Sequence, residues 1–133
     1  MTKIKSLIDG CDISSTSLKI AYEKKLYRKL FNKSFEKNFL ISKTYNSVSM
    51  IGAMTYCQKP ILLFPIIANY LKKNGIFIFS HRIDLWNSQN FDNLIHNSKN
   101  FILTYKSRPL NYLPKNNDFS NKIKIRIVAL TKI

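Results

Sequence analysis

The chain has 133 residues, 45% of them hydrophobic, and a formal net charge of +15. This length suits one domain with its own core, and no apolar run of about 20 residues occurs, so we expect no membrane-spanning helix. The basic residues are nearly all lysines spread along the chain, and Lys, Asn and Ile are abundant throughout, as AT-rich coding would produce. Nucleic-acid binding therefore stays an alternative that the charge alone does not favour.

The sequence gives little sign of export, disulfides or metal. The N-terminus shows no apolar signal-peptide core, so we predict a cytoplasmic protein. Cys11 and Cys57 form no CxxC pair, and we expect each to be a small core residue. His81 and His96 are too few and too isolated to predict a metal site.

Strand and helix patterns alternate from the start of the chain. Ser6–Cys11 predicts a short strand that ends near a glycine. Ser14 or Ser15 can cap a following helix, because a hydroxyl there accepts a hydrogen bond from a free backbone N–H. Arg28–Phe31 and Ser47–Ile51 predict the next two strands.

The segment Lys59–Lys73 predicts a helix. Pro60 suits its first turn, where a missing N–H costs nothing, whereas Pro65 should bend or shorten it. Asn74 and Gly75 form a good stop, since both tolerate the left-handed conformation. Apolar residues are expected on the buried side of this helix: Leu62, Leu63, Ile66, Ile67, Tyr70 and Leu71.

The last third contains one buried strand, a helix and a strand pair. Ile76–Ser80 is nearly all apolar, which is typical of a sheet covered on both faces. Ser88–Asn97 predicts a helix, and Phe101–Tyr105 and Lys122–Thr131 predict strands on either side of a polar loop, Asn111–Asn121. The order predicts one α/β domain over residues 1–133, with a mostly parallel sheet and an antiparallel C-terminal edge.

Three segments together resemble class I S-adenosylmethionine-dependent methyltransferases. Ile8–Ser14 resembles that family's second strand, which ends in an acidic residue, and Tyr45–Tyr56 resembles its fourth strand and loop. Leu71–Ser80 is similar to the turn and fifth strand. The tail, Ser107–Leu113 and Ile123–Leu130, is similar to the last strands of the methyltransferase-like branch that includes the Williams–Beuren-region proteins. The resemblance covers nearly the whole chain and implies a Rossmann-like fold.

The resemblance implies S-adenosylmethionine as cofactor and methyl transfer to an acceptor that the sequence does not identify. Asp12, with Ile13 beside it, would accept the ribose hydroxyls, because ligands of open α/β sheets bind beyond the carboxyl ends of the strands. A cap on the following helix is the alternative role for Asp12. Ser34 stands where the family has an acidic residue near the adenine.

The loop Ile51–Tyr56 would lie beside the methionine end of the cofactor. Gly52 and Ala53 are small enough to allow close backbone approach, and plain packing at a strand end is the alternative. The candidate cofactor-binding residues are therefore Asp12, Ile13, Ser34, Ile51, Gly52 and Ala53.

No catalytic residue is assigned, because a sulfonium methyl is already activated and the protein mainly aligns donor and acceptor. His81 could act as a base but is better explained as a polar loop residue. Arg82, Asp84 and Trp86 could shape an acceptor site, although ordinary loop packing explains them better.

The sequence also departs from the family pattern. Eleven residues precede Asp12, and no GxGxG-like turn occurs anywhere, so we expect the first strand and its glycine-rich loop to be missing. That strand would lie between the second and fourth, and its loss leaves hydrogen-bonding groups without partners.

These departures leave three functions open. The first is a partial methyltransferase domain, truncated at the N-terminus and incomplete or inactive as an isolated chain. The second is a non-catalytic interaction module, or a half-enzyme whose N-terminal half is on another chain. The third is a small basic nucleic-acid-binding protein, which should show steeply salt-dependent binding.

Overall fold

The computed structural model describes residues 7–39, 44–112 and 123–133. The chain divides into two compact units, Met1–Ile41 and Ser42–Ile133, and each is described by itself. A single partial domain over residues 1–133 therefore stays a prediction. Within the described ranges, no helix is long and apolar enough to cross a membrane.

The first unit is a small strand–helix–strand motif. Strands β1 (Asp9–Cys11) and β2 (Lys29–Phe31) are parallel, and helix α1 (Ser15–Glu23) connects them. The helix begins where predicted, because the Ser14 hydroxyl accepts a hydrogen bond from the Ser17 N–H at 3.2 Å. Both strands are shorter than expected, and residue 6 lies outside the described residues.

One ion pair and one close approach hold β1 to β2. The Arg28 guanidinium donates two hydrogen bonds to the Asp9 carboxylate, from Nε at 3.0 Å and from Nη2 at 2.8 Å. A Cβ at Gly10 would lie 3.1 Å from both Leu30 and Tyr27 side-chain atoms. Glycine at this position therefore lets the side chains of Leu30 on β2 and of Tyr27, just before β2, pack against β1.

The second unit contains the larger sheet. Its strands are β3 (Tyr45–Met50), β4 (Leu71–Arg82), β5 (Phe101–Lys106), β6 (Leu110–Asn111) and β7 (Lys124–Lys132). The order is β3-β4-β7-β5, with β6 also paired to β7. Strand β3 is parallel to β4, and β7 is antiparallel to both β4 and β5. The predicted α/β fold with an antiparallel C-terminal edge is confirmed; residues 113–121 of the predicted polar loop and residue 122 of the predicted last strand lie outside the described residues.

Three helices belong to this unit: α2 (Pro60–Tyr70), α3 (Ile83–Ser88) and α4 (Phe91–His96). Helix α2 continues through Pro65 and is shorter than predicted. The single helix predicted over Ser88–Asn97 is wrong, because Asn90 adopts a left-handed conformation (φ 51°) and separates α3 from α4. Helix α3 begins earlier, in a segment we expected to be a loop.

Phe64 of α2 lies at the centre of the core. Its ring centroid is 6.3 Å from that of Phe77, 6.4 Å from Phe79, 6.1 Å from Phe91 and 5.9 Å from Phe101. The buried face of α2 therefore differs from the predicted one, in which Phe64 was missing and Leu62, now exposed, was included. The observed face follows the i, i+3, i+4 spacing of a helix: Pro60, Leu63, Phe64, Ile67 and Ala68.

An irregularity in the pairing of β3 with β4, between Leu71 and Ile76, and the side chain of Lys132 shape the segment that follows α2. The predicted stop lies beyond the helix end, within β4, where Asn74 is left-handed (φ 65°) and a Cβ at Gly75 would lie 2.8 Å from a backbone oxygen. The Lys132 Nζ donates to the carbonyl oxygens of Ala68 at 2.6 Å and Leu71 at 2.7 Å. The Ala68 carbonyl also accepts the Leu71 N–H, so the lysine adds a charged donor at the C-terminal end of α2, where the helix dipole favours a cation.

Burial corrects two expectations. Phe77 on β4 is fully buried, whereas its neighbour Ile76 is 39% exposed on the other face, so the described sheet is well covered on one face only. Cys57 is a core residue as predicted, but Cys11 is exposed.

Candidate functional site

Asp12 directly follows β1, at the carboxyl end of a parallel strand pair. Its N–H donates to the Phe31 carbonyl at 3.0 Å, and its Oδ1 accepts from the Ser14 N–H at 2.9 Å. Its Oδ2 accepts no hydrogen bond from the residues that the structure describes. Ser14, not Asp12, caps α1, so the capping alternative for Asp12 is wrong.

Asn32, just beyond β2, fixes two consecutive peptides, Asp12–Ile13 and Ile13–Ser14. With its amide nitrogen turned towards them, Asn32 donates to the carbonyl oxygens of Asp12 and Ile13, both at 3.1 Å. The Ile13 side chain is 72% exposed. An apolar surface therefore lies next to the carboxylate, and we did not single out Asn32 from the sequence.

Ser34 follows the same strand end as Asn32. Its side chain is half-buried, and its Oγ accepts from the Glu36 N–H at 3.2 Å. The carbonyl of Ser34 accepts from the Lys37 N–H at 3.2 Å. Ser34 thus shapes a turn next to Asn32, and its place near an adenine stays a prediction.

The loop after β3 is held by a serine on β4. Gly52 adopts φ +78°, a conformation that residues with a Cβ rarely adopt. Its N–H donates to the Ser80 Oγ at 2.8 Å, and Ser80 is only 4% exposed. A Cβ at Gly52 would meet no described atom within 4 Å, so glycine is required here by backbone geometry and not by crowding.

The residues on either side of Gly52 differ in exposure. Ile51 is 66% exposed, whereas Ala53 precedes a short 3-10 turn, Met54–Tyr56. The Tyr56 N–H donates to the Ala53 carbonyl at 3.0 Å, and Met54 is fully buried. The loop is therefore anchored through the buried Met54, and the residues at its two ends, Ile51 and Tyr56, are exposed.

His81 is not the polar loop residue that we expected. It lies on β4, is 1% exposed, and its Nε2 lies 2.8 Å from Oε1 of Gln89. Because an amide oxygen only accepts, this contact assigns the hydrogen to Nε2. Burial lowers the pKa of His81, while the Gln89 contact opposes that shift. Its Nδ1 has no hydrogen-bond partner among the described residues.

The residues next to His81 divide into packing and surface groups. Trp86 is 1% exposed and lies under the Arg126 guanidinium, 5.7 Å from it, so Trp86 is part of the core. Arg82 and Asp84 form a 2.8 Å ion pair at the surface. An acceptor-binding role for Arg82 and Asp84 stays a prediction.

The structure brings the predicted site residues together within each unit. Asp12, Ile13 and Ser34 lie at the carboxyl ends of β1 and β2 in the first unit. Ile51, Gly52 and Ala53 follow β3 in the second unit. Asn32 and Ser80 were missed, although both are polar residues near the carboxyl end of the neighbouring parallel strand, which is the signal that could have found them.

Solved structures share this fold. A methyltransferase from Methanosarcina mazei is 11% identical, with 94% of this chain and 81% of that one covered and a TM-score of 0.72. The N-methyltransferase NodS from Bradyrhizobium japonicum is 6% identical, with 93% and 72% covered and a TM-score of 0.69; NodS has also been solved with S-adenosylhomocysteine. The [4+2]-cyclase SpnF is 12% identical, with 96% and 67% covered and a TM-score of 0.71.

These likenesses show the fold. The chain has the fold of class I S-adenosylmethionine-dependent methyltransferases. No protein-family model matches the sequence, and no curated protein matches it. Because a cyclase shares the same fold, the activity has to be argued from the site. The Williams–Beuren-region subtype stays a prediction.

Proposed function

We propose that this chain binds S-adenosylmethionine and serves methyl transfer to an acceptor that is still to be identified. The observation that carries the proposal is Asp12: a carboxylate at the end of a parallel strand, with Oδ1 engaged by the Ser14 N–H at 2.9 Å. A carboxylate in that position suits the two hydroxyls of a ribose. The fold of solved methyltransferases supports the proposal, including one with S-adenosylhomocysteine bound.

Each unit, taken by itself, has described residues that would suit one part of such a cofactor. In the first unit, Oδ2 of Asp12 would accept from the ribose, and the exposed Ile13 side chain would offer an apolar contact. In the second unit, the open space around Gly52 would let a ligand approach the backbone closely. The cofactor supplies an activated methyl group, so these residues need only bind and orient it.

We expect the affinity to be low. The sequence contains three glycines and no GxGxG-like turn, the element that brings backbone N–H groups close to a bound nucleotide in related folds. Ser34 offers a hydroxyl where a carboxylate is expected. Cofactor binding by the isolated chain should therefore be weak, and methyl transfer incomplete or absent without further help.

Calorimetric titration with S-adenosylhomocysteine tests the proposal. We expect weak binding by the unaltered chain and at least a tenfold loss with Asp12→Ala, since about 1.4 kcal/mol corresponds to tenfold and hydrogen bonds to charged groups contribute about 1.5–3 kcal/mol. Glu23→Ala, which removes an exposed carboxylate of the same unit, is the control and should leave affinity unchanged. Equal binding by the Asp12→Ala variant would reject the ribose role.

A half-enzyme completed by a second polypeptide is the alternative. It is favoured by two observations: no described residue of the first unit is buried, and β3 pairs with β4 alone among the described strands. An exposed strand edge accepts an added strand. A co-expressed peptide carrying a strand and a glycine-rich turn should then raise solubility, melting temperature and cofactor affinity. If the chain alone is monomeric and folds cooperatively, and the peptide changes neither its melting temperature nor its cofactor affinity, this alternative is rejected.

A further inference from the structure

We infer that Ser80 and Asn32 are positioning residues for the two loops proposed to contact the cofactor. The inference rests on the proposed function, and it assigns to each loop one polar side chain that fixes its backbone. In both units this side chain comes from the strand beside the loop, or from the residue just beyond that strand.

Ser80 acts on the loop after β3. It lies near the carboxyl end of β4, and Met50, the last residue of β3, is opposite Phe79. The Ser80 Oγ accepts the Gly52 N–H at 2.8 Å and is 4% exposed. A buried acceptor of this kind is costly to leave unpaired, so the hydroxyl and the glycine amide hold each other in place.

The buried Met54 anchors the loop further on, and the Ser80 bond fixes the backbone at Gly52. The Gly52 φ of +78° is one of several conformations open to a glycine. No described atom lies within 4 Å of where its Cβ would be. Without the Ser80 bond the peptide could rotate, and a ligand would bear the entropy cost of ordering it.

Asn32 does the same in the first unit. Its amide donates to the carbonyl oxygens of Asp12 and Ile13, both at 3.1 Å. These two bonds fix two consecutive peptides, Asp12–Ile13 and Ile13–Ser14. Asn32 does not contact the Asp12 carboxylate, so its effect on a ligand would act through the backbone.

The chain offers a matched control for Ser80. Ser107 is also a buried serine of the second unit, 6% exposed, whose Oγ accepts a backbone N–H, that of Ile127 at 2.9 Å. Because the Ser107 Oγ also donates to the Arg108 carbonyl at 2.8 Å, Ser107→Ala should lower the melting temperature at least as much as Ser80→Ala. Only Ser80→Ala should weaken S-adenosylhomocysteine binding, by roughly fivefold, the equivalent of one hydrogen bond of about 1 kcal/mol.

Three further measurements complete the test. Ser80→Thr, which keeps the hydroxyl, should recover most of the affinity. Asn32→Ala should weaken binding several-fold, while Asn38→Ala, at an exposed position, should not. In the free protein, the Gly52 amide should exchange with solvent slowly, and Ser80→Ala should speed that exchange at least fivefold.

The outcomes separate this inference from the function itself. If the Ser80→Ala and Ser107→Ala variants bind S-adenosylhomocysteine equally well, the role of Ser80 is overturned and the proposed function stands. A chain that does not bind the ligand at all overturns the proposed function and this role together. Fast exchange of the Gly52 amide in the unaltered protein overturns the anchor, whatever the ligand does.

Discussion

The two units of the chain differ in the interactions that stabilise each of them. In the second unit, Phe64 and the aromatic rings around it form a core in which several side chains are fully buried. In the described part of the first unit no residue is buried, and Ile13 and Tyr22 are 72% and 75% exposed. The first unit depends instead on an ion pair and on local hydrogen bonds.

From this difference we expect the second unit, but not the first, to be stable through its own interactions. Two short parallel strands and one helix bury too little apolar surface for independent stability, which generally needs three or more strands or a packed face. The unit with the weaker packing also presents Asp12. A ligand that binds only the folded state stabilises it by mass action, so cofactor binding should matter most to the first unit.

The largest expected effect is the loss of the aromatic centre of the second unit. Phe64→Ala should lower the free energy of unfolding by about 3–5 kcal/mol, since it removes a fully buried ring and leaves a cavity. Trp86 is the only tryptophan and lies in this unit. Urea denaturation followed by its fluorescence therefore measures the effect.

The matched change in the first unit is Phe31→Ala. Phe31 is half-buried on β2, and its ring centroid lies 5.3 Å from that of Phe39. We expect the transition reported by Trp86 to shift by less than about 0.5 kcal/mol. A shift as large as that of Phe64→Ala would show that the units unfold as one and that the contrast between them is wrong.

Much of the fold could be predicted from sequence because local patterns carried it. The apolar run in Ile76–Ser80, after a helix-patterned segment, correctly predicted a strand parallel to β3. Almost every residue of α2 is apolar, so periodicity could not tell which face is buried, and Leu62 was preferred to Phe64. The break at Asn90 was missed because its left-handed conformation lies inside an otherwise helical pattern.

The candidate site was harder to predict, because its bonds join distant residues. Gly52 and Ser80 are 28 positions apart, so nothing local connects them. His81 seemed suited to a loop, yet Gln89, eight positions on, supplies the partner that lets it be buried. Asp12 could be placed at a strand end from the sequence, because an acidic residue after a short strand pattern is a local signal, and its role towards a ribose stays a prediction.

The next prediction concerns the pH dependence of the stability of the second unit. Burial lowers the pKa of His81 below its ordinary value of 6.5, so the unfolded chain binds this proton more readily than the folded one. Stability is then complete above about pH 6.5 and falls as the pH drops towards the folded pKa, by no more than about 1.4 kcal/mol per pH unit. Urea midpoints between pH 7.5 and 5.5, read from Trp86, measure the slope.

Two variants identify the group responsible for that slope. His81→Gln should flatten the pH dependence, although it lowers stability at every pH because the buried site loses its ring. His96 is exposed, so His96→Gln should leave the slope unchanged. A slope that persists without His81 would assign the titration to another group.

The last prediction concerns the first unit and tests whether that unit opens locally. Arg28→Gln removes the 2.8 Å ion pair to Asp9, whose side chain is only 4% exposed. Because the Arg28 side chain is 44% exposed, solvent screens the pair and its loss should cost about 1 kcal/mol or less. That cost should appear as faster exchange of the Asp12 amide, which donates to the Phe31 carbonyl. The amides of β4 and β7 should keep their protection, because the pairing of these two strands with each other holds them. Equal loss of protection in both sets would mean that the first unit does not open separately, and that its weak packing is supported by interactions beyond the ion pair.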